Sequence, residues 1–487
     1  MAIQESVESM NQLQLPETHN RETRRLVFEH VFSGDERVAI ITAAPGSGKS
    51  TALLNLALTL LEQPNVQRIA IAAQTNNQAT DLALKLLDLL KAKGLDPKLA
   101  YRFASERIVR PVDFDGKWVT KTSQVEPASD AIIISTAAKW GQAIAKAAGF
   151  QTDFVLIDEA YQMAWSTFMQ VSCLGPRFIL IGDEGQIDPV VSVDASRWHT
   201  AKFPPHWPAP KTLQNLGADV YGADYLRQEL EYCWRLPSES ISYIDPFYKR
   251  LGLEVKPVAR KGDRFLTAAS EKSDSHPLSR AISFASHGEP VLVTVPDSET
   301  GAPLDADKTI AMAIRDTLAK LFESGTGYQM LDRKGSVEQK LNLDDIAICS
   351  TKRAMNSLIE NVIQDVLKNQ PVPPGKELVP NYGLRVDTPE RLQGLEFKVV
   401  LAVHPLSTAT RPSEFDLATG RLCVMASRHQ IALFMFSREH ILSTLDRELP
   451  NATQAPGLHD GTGEGHKIHR GFIKQLQDNN RIVRLQA

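Results

Sequence analysis

Cysteine is scarce in this sequence of 487 residues, and long apolar runs are missing from it. The four cysteines stand singly, without a CxxC pair, which argues against a disulfide framework or a zinc site. No stretch reaches the roughly 18 uninterrupted apolar residues that a membrane span needs. The opening residues, MAIQESVESMNQ, have neither a basic head nor an apolar run, so no signal peptide is expected. These absences predict a soluble, cytoplasmic protein without a membrane partner.

A surplus of one charge is also absent. Lys and Arg number 54 against 58 Asp and Glu, a net charge of -4. This balance excludes a strongly basic chromatin-type protein, although it leaves room for a local basic groove. Hydrophobic residues make up 43% of the chain, which suffices for large cores and excludes wholesale disorder. The length predicts two or three domains.

Short aliphatic runs alternate with helical patterns from residue 38 onward. Continuous apolar strands joined by helices are typical of a parallel sheet covered on both faces. The runs form two series: 38–43, 68–73, 131–136, 153–158 and 177–182, followed by 290–295, 344–350, 397–403 and 431–436. The simplest prediction is an α/β protein made of two tandem α/β units.

The segment AAPGSGKST (43–51) follows a predicted strand and opens a predicted helix. Small residues let successive backbone N–H groups curl around a phosphate, and the helix N-terminus adds a favourable dipole. Lys49 would reach the β- and γ-phosphates, and the Ser50 hydroxyl would bind Mg²⁺. The predicted nucleotide-binding residues are Ala44, Pro45, Gly46, Ser47, Gly48, Lys49, Ser50 and Thr51.

A predicted buried strand ends in two carboxylates, Asp158 and Glu159. Asp158 would hold magnesium through water, and Glu159 would act as general base on the attacking water. A strand-end Asp-Glu pair alone is a common structural feature, but here it follows a P-loop with strands between. Together the two motifs predict an NTP-hydrolysing site that uses ATP and Mg²⁺.

The order of motifs over roughly residues 20 to 445 resembles superfamily 1 helicases of subgroup B. The similarity is to the branch that contains the nonsense-mediated-decay RNA helicase and its DNA-helicase relatives. DEAYQ (158–162) is similar to that branch's DEA-x-Q box. Four further segments resemble motifs of the same branch: GDEGQIDPV (182–190), YCWRLPSESISYIDPFYKRL (232–251), VDTPERLQGLEFKVVLAV (386–403) and GRLCVMASRHQ (420–430).

The resemblance implies roles for four more residues. Gln186 would sense the γ-phosphate with help from Asp183, and Arg235 would reach the γ-phosphate from the second lobe. Glu396 would contact the nucleotide ribose, and Arg428 would be an arginine finger. The arginine guanidinium group is planar and permanently charged, so its N–H donors suit the negative charge that spreads over the phosphoryl oxygens in the transition state.

The resemblance also implies the architecture. The expected fold is two tandem RecA-like P-loop NTPase lobes, with a short β-rich subdomain inserted in the first. The predicted boundaries are a lead-in at 1–20, a first lobe at 21–228 with an insertion at about 95–128, a second lobe at 229–450, and a linker with a basic tail at 451–487.

Small polar residues at two strand ends are predicted to contact nucleic acid. Thr75, Asn76 and Asn77 lie in AAQTNNQATD (72–81), and Thr136 ends the run AIIIST. Such donors suit phosphate oxygens without reading bases. Basic residues interleaved with aromatics at 91–121 suit a bound strand, but they fit equally a small solvated subdomain with its own aromatic core. The expected partner is single-stranded nucleic acid, DNA in preference to RNA, together with a protein that recruits or activates the motor.

Two functions fit these patterns. The first is an ATP-dependent helicase or translocase that moves 5′-to-3′ along a single strand, a direction that the resemblance implies. The alternative is a nucleic-acid-stimulated NTPase switch or scaffold that does not unwind duplexes. The family's adenine-reading glutamine has no counterpart at 20–24, and Met355 stands where the family has another glutamine. GTP or CTP is therefore expected to support hydrolysis within roughly tenfold of ATP.

Overall fold

The computed structural model describes residues 2–34, 37–126, 130–144, 150–191, 194–198, 201–216, 225–267, 276–297, 305–323, 325–332, 335–409, 412–447 and 461–486. No helix in these ranges is long and apolar enough to cross a membrane. The chain forms two compact units, Met1–Tyr232 and Cys233–Ala487. The sequence analysis placed the corresponding boundary after residue 228.

The first unit contains an eight-stranded sheet in which all neighbouring strands are parallel. Its strands are β1 (Val38–Ala43), β2 (Arg68–Ala73), β3 (Ala100–Phe103), β4 (Lys117–Val119), β5 (Ala131–Thr136), β6 (Phe154–Ile157), β7 (Phe178–Gly182) and β8 (Leu226–Leu230). The spatial order is β4-β3-β5-β2-β6-β7-β1-β8. Every residue of β1 and β5 is buried, because one apolar cluster lies on each face of the sheet.

Helices connect these strands. They are α1 (Ala2–Phe28), which continues into a π-helical turn at Glu29–Ser33, α2 (Lys49–Leu61), α3 (Asn76–Ala92), α4 (Ala137–Ile144), α5 (Trp165–Val171) and α6 (Ala209–Leu216). Short 3₁₀ turns occupy Pro97–Leu99, Thr122–Gln124, Ala160–Gln162, Ser172–Leu174 and Ser196–Trp198. The predicted lead-in at 1–20 is therefore part of α1. The long α3 buries Leu82, Leu86 and Leu90 at the spacing of one helix face.

The segment predicted as a β-rich insertion, 95–128, extends the parallel sheet at its edge. It contributes β3 and β4, which pair in parallel with each other, and β3 pairs in turn with β5. Tyr101, Phe103 and Phe114 are buried in the two cores of the unit. Of the two interpretations that the sequence left open, the structure favours core packing of these aromatics, because buried rings cannot stack on bases.

The second unit contains a six-stranded parallel sheet and a small antiparallel one. The strands are β9 (Tyr232–Cys233), which begins in the first unit, β10 (Lys256–Pro257), β11 (Arg264–Thr267), β12 (Val291–Val295), β13 (Gly327–Asp332), β14 (Gly335–Lys340), β15 (Ile346–Cys349), β16 (Arg385–Asp387), β17 (Phe397–Val403), β18 (His429–Arg438) and β19 (Ile482–Arg484). The parallel order is β16-β15-β17-β18-β12-β19, and β11-β13-β14 form the antiparallel sheet. The prediction of two tandem α/β units is confirmed.

The helices of the second unit cover its parallel sheet. They are α7 (Ser238–Lys249), α8 (Pro277–Ala285), α9 (Lys308–Glu323), α10 (Arg353–Val362), α11 (Gln364–Lys368), α12 (Pro389–Leu392), α13 (Glu414–Leu417), α14 (Thr419–Ala426), α15 (Ile441–Arg447) and α16 (Gly461–Asp478), with 3₁₀ turns at Leu343–Asp345 and Pro380–Gly383. One contiguous apolar cluster includes residues of α8, α9 and α10 and of the strands β12, β15, β17 and β18.

The last residues of the chain are part of the second unit rather than a basic tail. The predicted linker and tail, 451–487, includes α16 and β19, and β19 pairs in parallel with β12. Phe472, Ile473 and Leu476 of α16 are buried. The sequence analysis missed this helix because its apolar residues are few and follow a turn-rich stretch. Residues 451–460 lie outside the described residues.

In the described part of the second unit, His404, His429 and His469 are at most 1% exposed. Burial lowers the pKa of His429 to about 3 and that of His469 to about 3, and it lowers the pKa of His404 well below its usual range. A histidine whose pKa falls on folding binds its proton only in the unfolded state between pH 6.5 and the lowered pKa. The folded state therefore loses stability as the pH falls through that window.

We expect acid to destabilise the second unit through these residues. Below about pH 6.5 each buried histidine removes about 1.4 kcal/mol of unfolding free energy per pH unit. Urea unfolding followed at neutral and mildly acidic pH measures this slope. His469→Gln should reduce the pH dependence of the unfolding free energy by the equivalent of about one proton, because the variant lacks a group that titrates only in the unfolded chain. His287→Gln makes the same substitution at an exposed position and serves as the comparison; equal slopes in both variants would contradict the assignment.

Candidate nucleotide-binding site

The segment 43–51 forms a phosphate-binding loop between β1 and α2. Gly46 has φ 66° and Gly48 has φ 83°, in the left-handed region that glycine adopts without strain. The Ala44 N–H donates to the Leu230 carbonyl at 2.9 Å, which anchors the start of the loop to β8. Gly48 caps α2 without a side chain. The backbone N–H groups at this helix N-terminus are therefore available to a phosphate.

Lys49 lies among acidic groups from two neighbouring strand ends. Its Nζ atom is 3.9 Å from Oε1 of Glu159, after β6, and 3.6 Å from Oδ2 of Asp183, after β7. Because β6, β7 and β1 are adjacent and parallel, their carboxyl ends meet at one edge of the sheet. The structure thus brings together Lys49, Asp158, Glu159 and Asp183, as the sequence predicted for a nucleotide site.

Asp158 is a buried carboxylate that the protein leaves incompletely satisfied. It is 5% exposed, and its Oδ1 atom has no hydrogen-bond partner in the described chain. Burial, followed by the charge of Glu159, raises the pKa of Asp158 to about 7 despite the opposing charge of Lys49. A divalent cation would offset this penalty, so the residues present fit magnesium.

A preassembled cage for the metal is not present in the described part of the chain, where no group of three His, Cys, Asp or Glu side chains could hold an ion. This is the usual situation for Mg²⁺, which is held by one or two protein ligands together with substrate phosphates and water. Asp158 and Ser50, the latter in the first turn of α2, are the residues that would hold it.

Glu159 has an unusual backbone conformation, with φ 51° and ψ 47°. A residue with a Cβ rarely adopts this left-handed region, and strain of this kind is found at functional sites. Hydrogen bonds hold the conformation: the Glu159 carbonyl accepts from the Gln162 N–H at 2.9 Å and from Nε2 of Gln74 at 3.5 Å. Gln74 was not a predicted site residue, since nothing in its local sequence indicates a contact with a residue so far along the chain.

The turn after β7 holds Gln186 against Asp183. Asp183 accepts hydrogen bonds from the Gly185 N–H at 3.0 Å and from Nε2 of Gln186. Gly182 allows this turn to lie close to the one after β6, because a Cβ there would be only 2.8 Å from the Ala160 nitrogen. The predicted help of Asp183 in positioning Gln186 therefore has a direct geometric basis, whereas contact of Gln186 with a γ-phosphate stays a prediction.

The second unit holds its own cluster of predicted site residues. The Arg235 guanidinium donates to Oε1 of Glu396 at 2.9 Å and to the Ser427 carbonyl at 3.1 Å. Gln430 donates to the other Glu396 oxygen at 2.9 Å. Desolvation would raise the pKa of Glu396, but the Arg235 charge and these hydrogen bonds outweigh it and lower that pKa. Gln430, the last residue of the segment 420–430, was not among the predicted site residues.

Arg428 is buried inside the second unit, with 1% of its surface exposed. Its Nε atom donates to the Val424 carbonyl at 3.2 Å, and Nη2 lies 3.2 Å from the Ser427 hydroxyl oxygen. The structure therefore places Arg235, Glu396 and Arg428 in one neighbourhood, as their motifs predicted. Both contacts lie within the second unit, and contact of Arg428 with a phosphate stays a prediction.

The predicted nucleic-acid contacts divide into two groups. Thr75, Asn76 and Asn77 are exposed where β2 leads into α3, and Thr75 caps that helix through a capping box with Gln78. Thr136 is 6% exposed, and its hydroxyl accepts from the Lys139 N–H at 3.2 Å. Thr136 therefore caps the turn that follows it, and its contact with nucleic acid stays a prediction.

Sequence comparison assigns part of the chain to a family model. Residues 29–192 match the model described as an AAA domain, which is less than half of the 487 residues. The matched range includes the P-loop and the motifs after β6 and β7. This part of the chain is accordingly similar to P-loop NTPase domains, and a domain of that kind binds a nucleoside triphosphate. No curated protein sequence matches the chain.

Solved helicase structures are similar only at a distance. The arterivirus nonstructural protein 10 helicase in complex with DNA has 16% identity and a TM-score of 0.41, over 83% of this chain and 62% of that one. The PRRSV helicase has 14% identity and a TM-score of 0.38, over 84% and 54%. The helicase MrfA bound to DNA and AMPPNP has 12% identity and a TM-score of 0.42, over 85% and 48%. The chain spans roughly half to three fifths of these proteins, and at such scores the likeness carries no argument about function.

Proposed function

We propose that this protein is an ATP-driven translocase on single-stranded nucleic acid that unwinds duplexes in its path. The observation that carries the proposal is the hydrogen bond from Gln74 to the Glu159 carbonyl. Gln74 belongs to the loop at 74–77, whose last two residues, Asn76 and Asn77, are exposed and begin α3. Glu159 belongs to the nucleotide site. One edge of the first sheet therefore holds both a hydrolytic centre and a polar surface loop, in direct contact.

The side chains of the first unit suit NTP hydrolysis. Lys49 and the N–H groups of the loop bind the phosphates, and Glu159 accepts a proton from the attacking water. Asp158 and Ser50 would hold Mg²⁺, which supplies positive charge to the β- and γ-phosphates when bound. Asp183 orients the Gln186 amide. The second unit supplies Arg235 and Arg428, whose guanidinium groups would stabilise charge on the transferred phosphoryl group.

Movement along a strand needs a contact that changes with the nucleotide state. A shift of Glu159 on hydrolysis would also move the loop at 74–77, because Gln74 of that loop donates a hydrogen bond to the Glu159 carbonyl. The proposal takes 5′-to-3′ as the direction, which the motif resemblance implies, and DNA in preference to RNA as the substrate. A protein partner that recruits or activates the motor also belongs to the proposal.

We expect slow NTP hydrolysis by the protein alone and marked acceleration by single strands. The reason is that a bound strand orders the loop at 74–77 and, through it, the Glu159 backbone. Steady-state phosphate release with saturating oligodeoxythymidine or oligouridine, compared with no strand, measures the effect. Duplex DNA without a single-stranded end is the control. An unchanged rate of hydrolysis with both oligonucleotides would contradict the proposed motor function.

A nucleic-acid-stimulated switch without unwinding is the second candidate. The observation in its favour is that β3 and β4, which come from the segment predicted as an insertion, join the first sheet and do not form a separate subdomain. Strand displacement from a tailed duplex separates the two functions, since a switch would hydrolyse ATP on the tail and leave the duplex intact.

A further inference from the structure

Arg102 of β3 is a buried cation whose hydrogen-bond partners are all neutral. Its side chain is fully buried and donates five hydrogen bonds. The acceptors are the Thr80 hydroxyl, the carbonyls of Phe103, Ile134 and Asn76, and the side-chain oxygen of Asn76. Burial lowers the pKa of Arg102 to about 10. No Asp or Glu of the described chain forms an ion pair with it, so its charge is not neutralised locally.

Two of these hydrogen bonds fix the orientation of Asn76. Nη2 of Arg102 donates to the Asn76 carbonyl at 3.4 Å and to its side-chain Oδ1 at 3.1 Å. A guanidinium group has donors only, so the amide must turn its oxygen towards Arg102 and its NH₂ group away. Asn76 is exposed as the first residue of α3. Its NH₂ group has no protein partner among the described residues and is left to face solvent.

We propose that Arg102 is a positioning residue for strand binding, which locks the Asn76 amide so that its NH₂ group donates to a phosphate oxygen of the bound strand. The inference rests on the proposed function and specifies how the loop at 74–77 meets its ligand. A phosphate only accepts hydrogen bonds, so an amide turned the other way would present oxygen to oxygen.

Asn77 provides a matched comparison on the same turn. It is exposed like Asn76 and adjacent to it, but it makes no hydrogen bond to Arg102 in the described structure. If Arg102 acts through Asn76, its effect on strand affinity must depend on residue 76 and not on residue 77. A general structural role of Arg102 in the core would be independent of both.

The test is a double-mutant cycle on the full-length protein. The dissociation constant of a fluorescein-labelled oligodeoxythymidine, and in parallel of an oligouridine, is measured by anisotropy for Arg102→Gln, Asn76→Ala, Asn77→Ala and the two double variants with Arg102→Gln. Arg102→Gln alone should weaken binding about 10- to 100-fold, the range for one hydrogen bond to a charged group. In the Asn76→Ala background it should change affinity little further, and in the Asn77→Ala background it should have its full effect. Equal effects in both backgrounds would overturn the inference.

Asn76→Asp keeps the inference testable if Arg102→Gln fails to fold. The new carboxylate would pair with Arg102, so the melting temperature should not fall, but it would present only acceptors to the strand. Binding should weaken at least about 10-fold. Wild-type affinity in this variant would contradict the positioning role. Absence of binding by the wild-type protein to both oligonucleotides would instead reject the proposed function itself, and with it this inference.

Discussion

Replacement of Glu159 by Gln is expected to reduce turnover by about 10²–10⁴, the contribution of a positioned general base, while nucleotide binding persists. The amide has the size of the carboxylate but cannot accept a proton from water. Lys49 and the loop N–H groups remain in place, so the phosphates keep their partners. Removing the charge of Glu159 also relieves its repulsion of Asp158, whose pKa it helps to raise. Affinity for ATP should therefore be retained or improved.

Single-turnover hydrolysis and equilibrium binding of a fluorescent ATP analogue separate these effects. Lys49→Ala is the contrasting variant and should lose binding, because a phosphate-pairing charge is removed. Glu62→Gln, the same chemical change at an exposed position at the end of α2, is the control and should leave both measurements unchanged. Equal loss of affinity in Glu159→Gln and Lys49→Ala would contradict the assignment of the base.

The second large effect is expected at Arg428. Arg428→Ala should lower the catalytic rate by about 10³–10⁵, the range for arginine fingers in other NTPases, with ATP affinity changed little. The residue acts in this hypothesis only on the charge that develops in the transition state. Arg428→Lys should restore little activity, because an ammonium group cannot reproduce the planar fork.

Arg428 is also buried and hydrogen-bonded within the second unit, so its replacement affects stability. The melting temperature of each variant must therefore accompany the rate. Arg484→Ala removes an exposed arginine of β19 and controls for loss of a positive charge on the same unit. A folded Arg428→Ala variant with a rate near that of the wild type would show that Arg428 is a structural arginine.

Local patterns predicted the parts of the fold that depend on local chemistry. The runs at 38–43, 68–73, 131–136 and 397–403 are strands with those bounds, because continuous aliphatic runs are stable only inside a covered parallel sheet. The helix at 461–478 was missed, since its burial depends on packing against distant parts of the second unit and not on its own weak pattern. The strand β19 was missed for the same reason.

The residues of the candidate site also fall into two groups, those that local sequence predicts and those whose contacts depend on the fold. Lys49, Asp158 and Glu159 belong to motifs whose spacing along the chain already implies their chemistry. Gln74 and Gln430 lie inside quoted segments and Arg102 lies outside them, but none of the three was predicted, because each contacts a residue that only the fold brings near.

The left-handed backbone of Glu159 sets thermal stability against catalysis at this position. An L-residue with a Cβ pays about 1 kcal/mol or more for that conformation, whereas glycine adopts it freely and asparagine tolerates it. Selection for heat resistance alone would accordingly favour Gly or Asn at 159 and discard the base. A laboratory evolution experiment that screens only for survival at high temperature should thus drift towards inactive chains here, and retention of the acid in natural relatives would measure how strongly hydrolysis itself is selected.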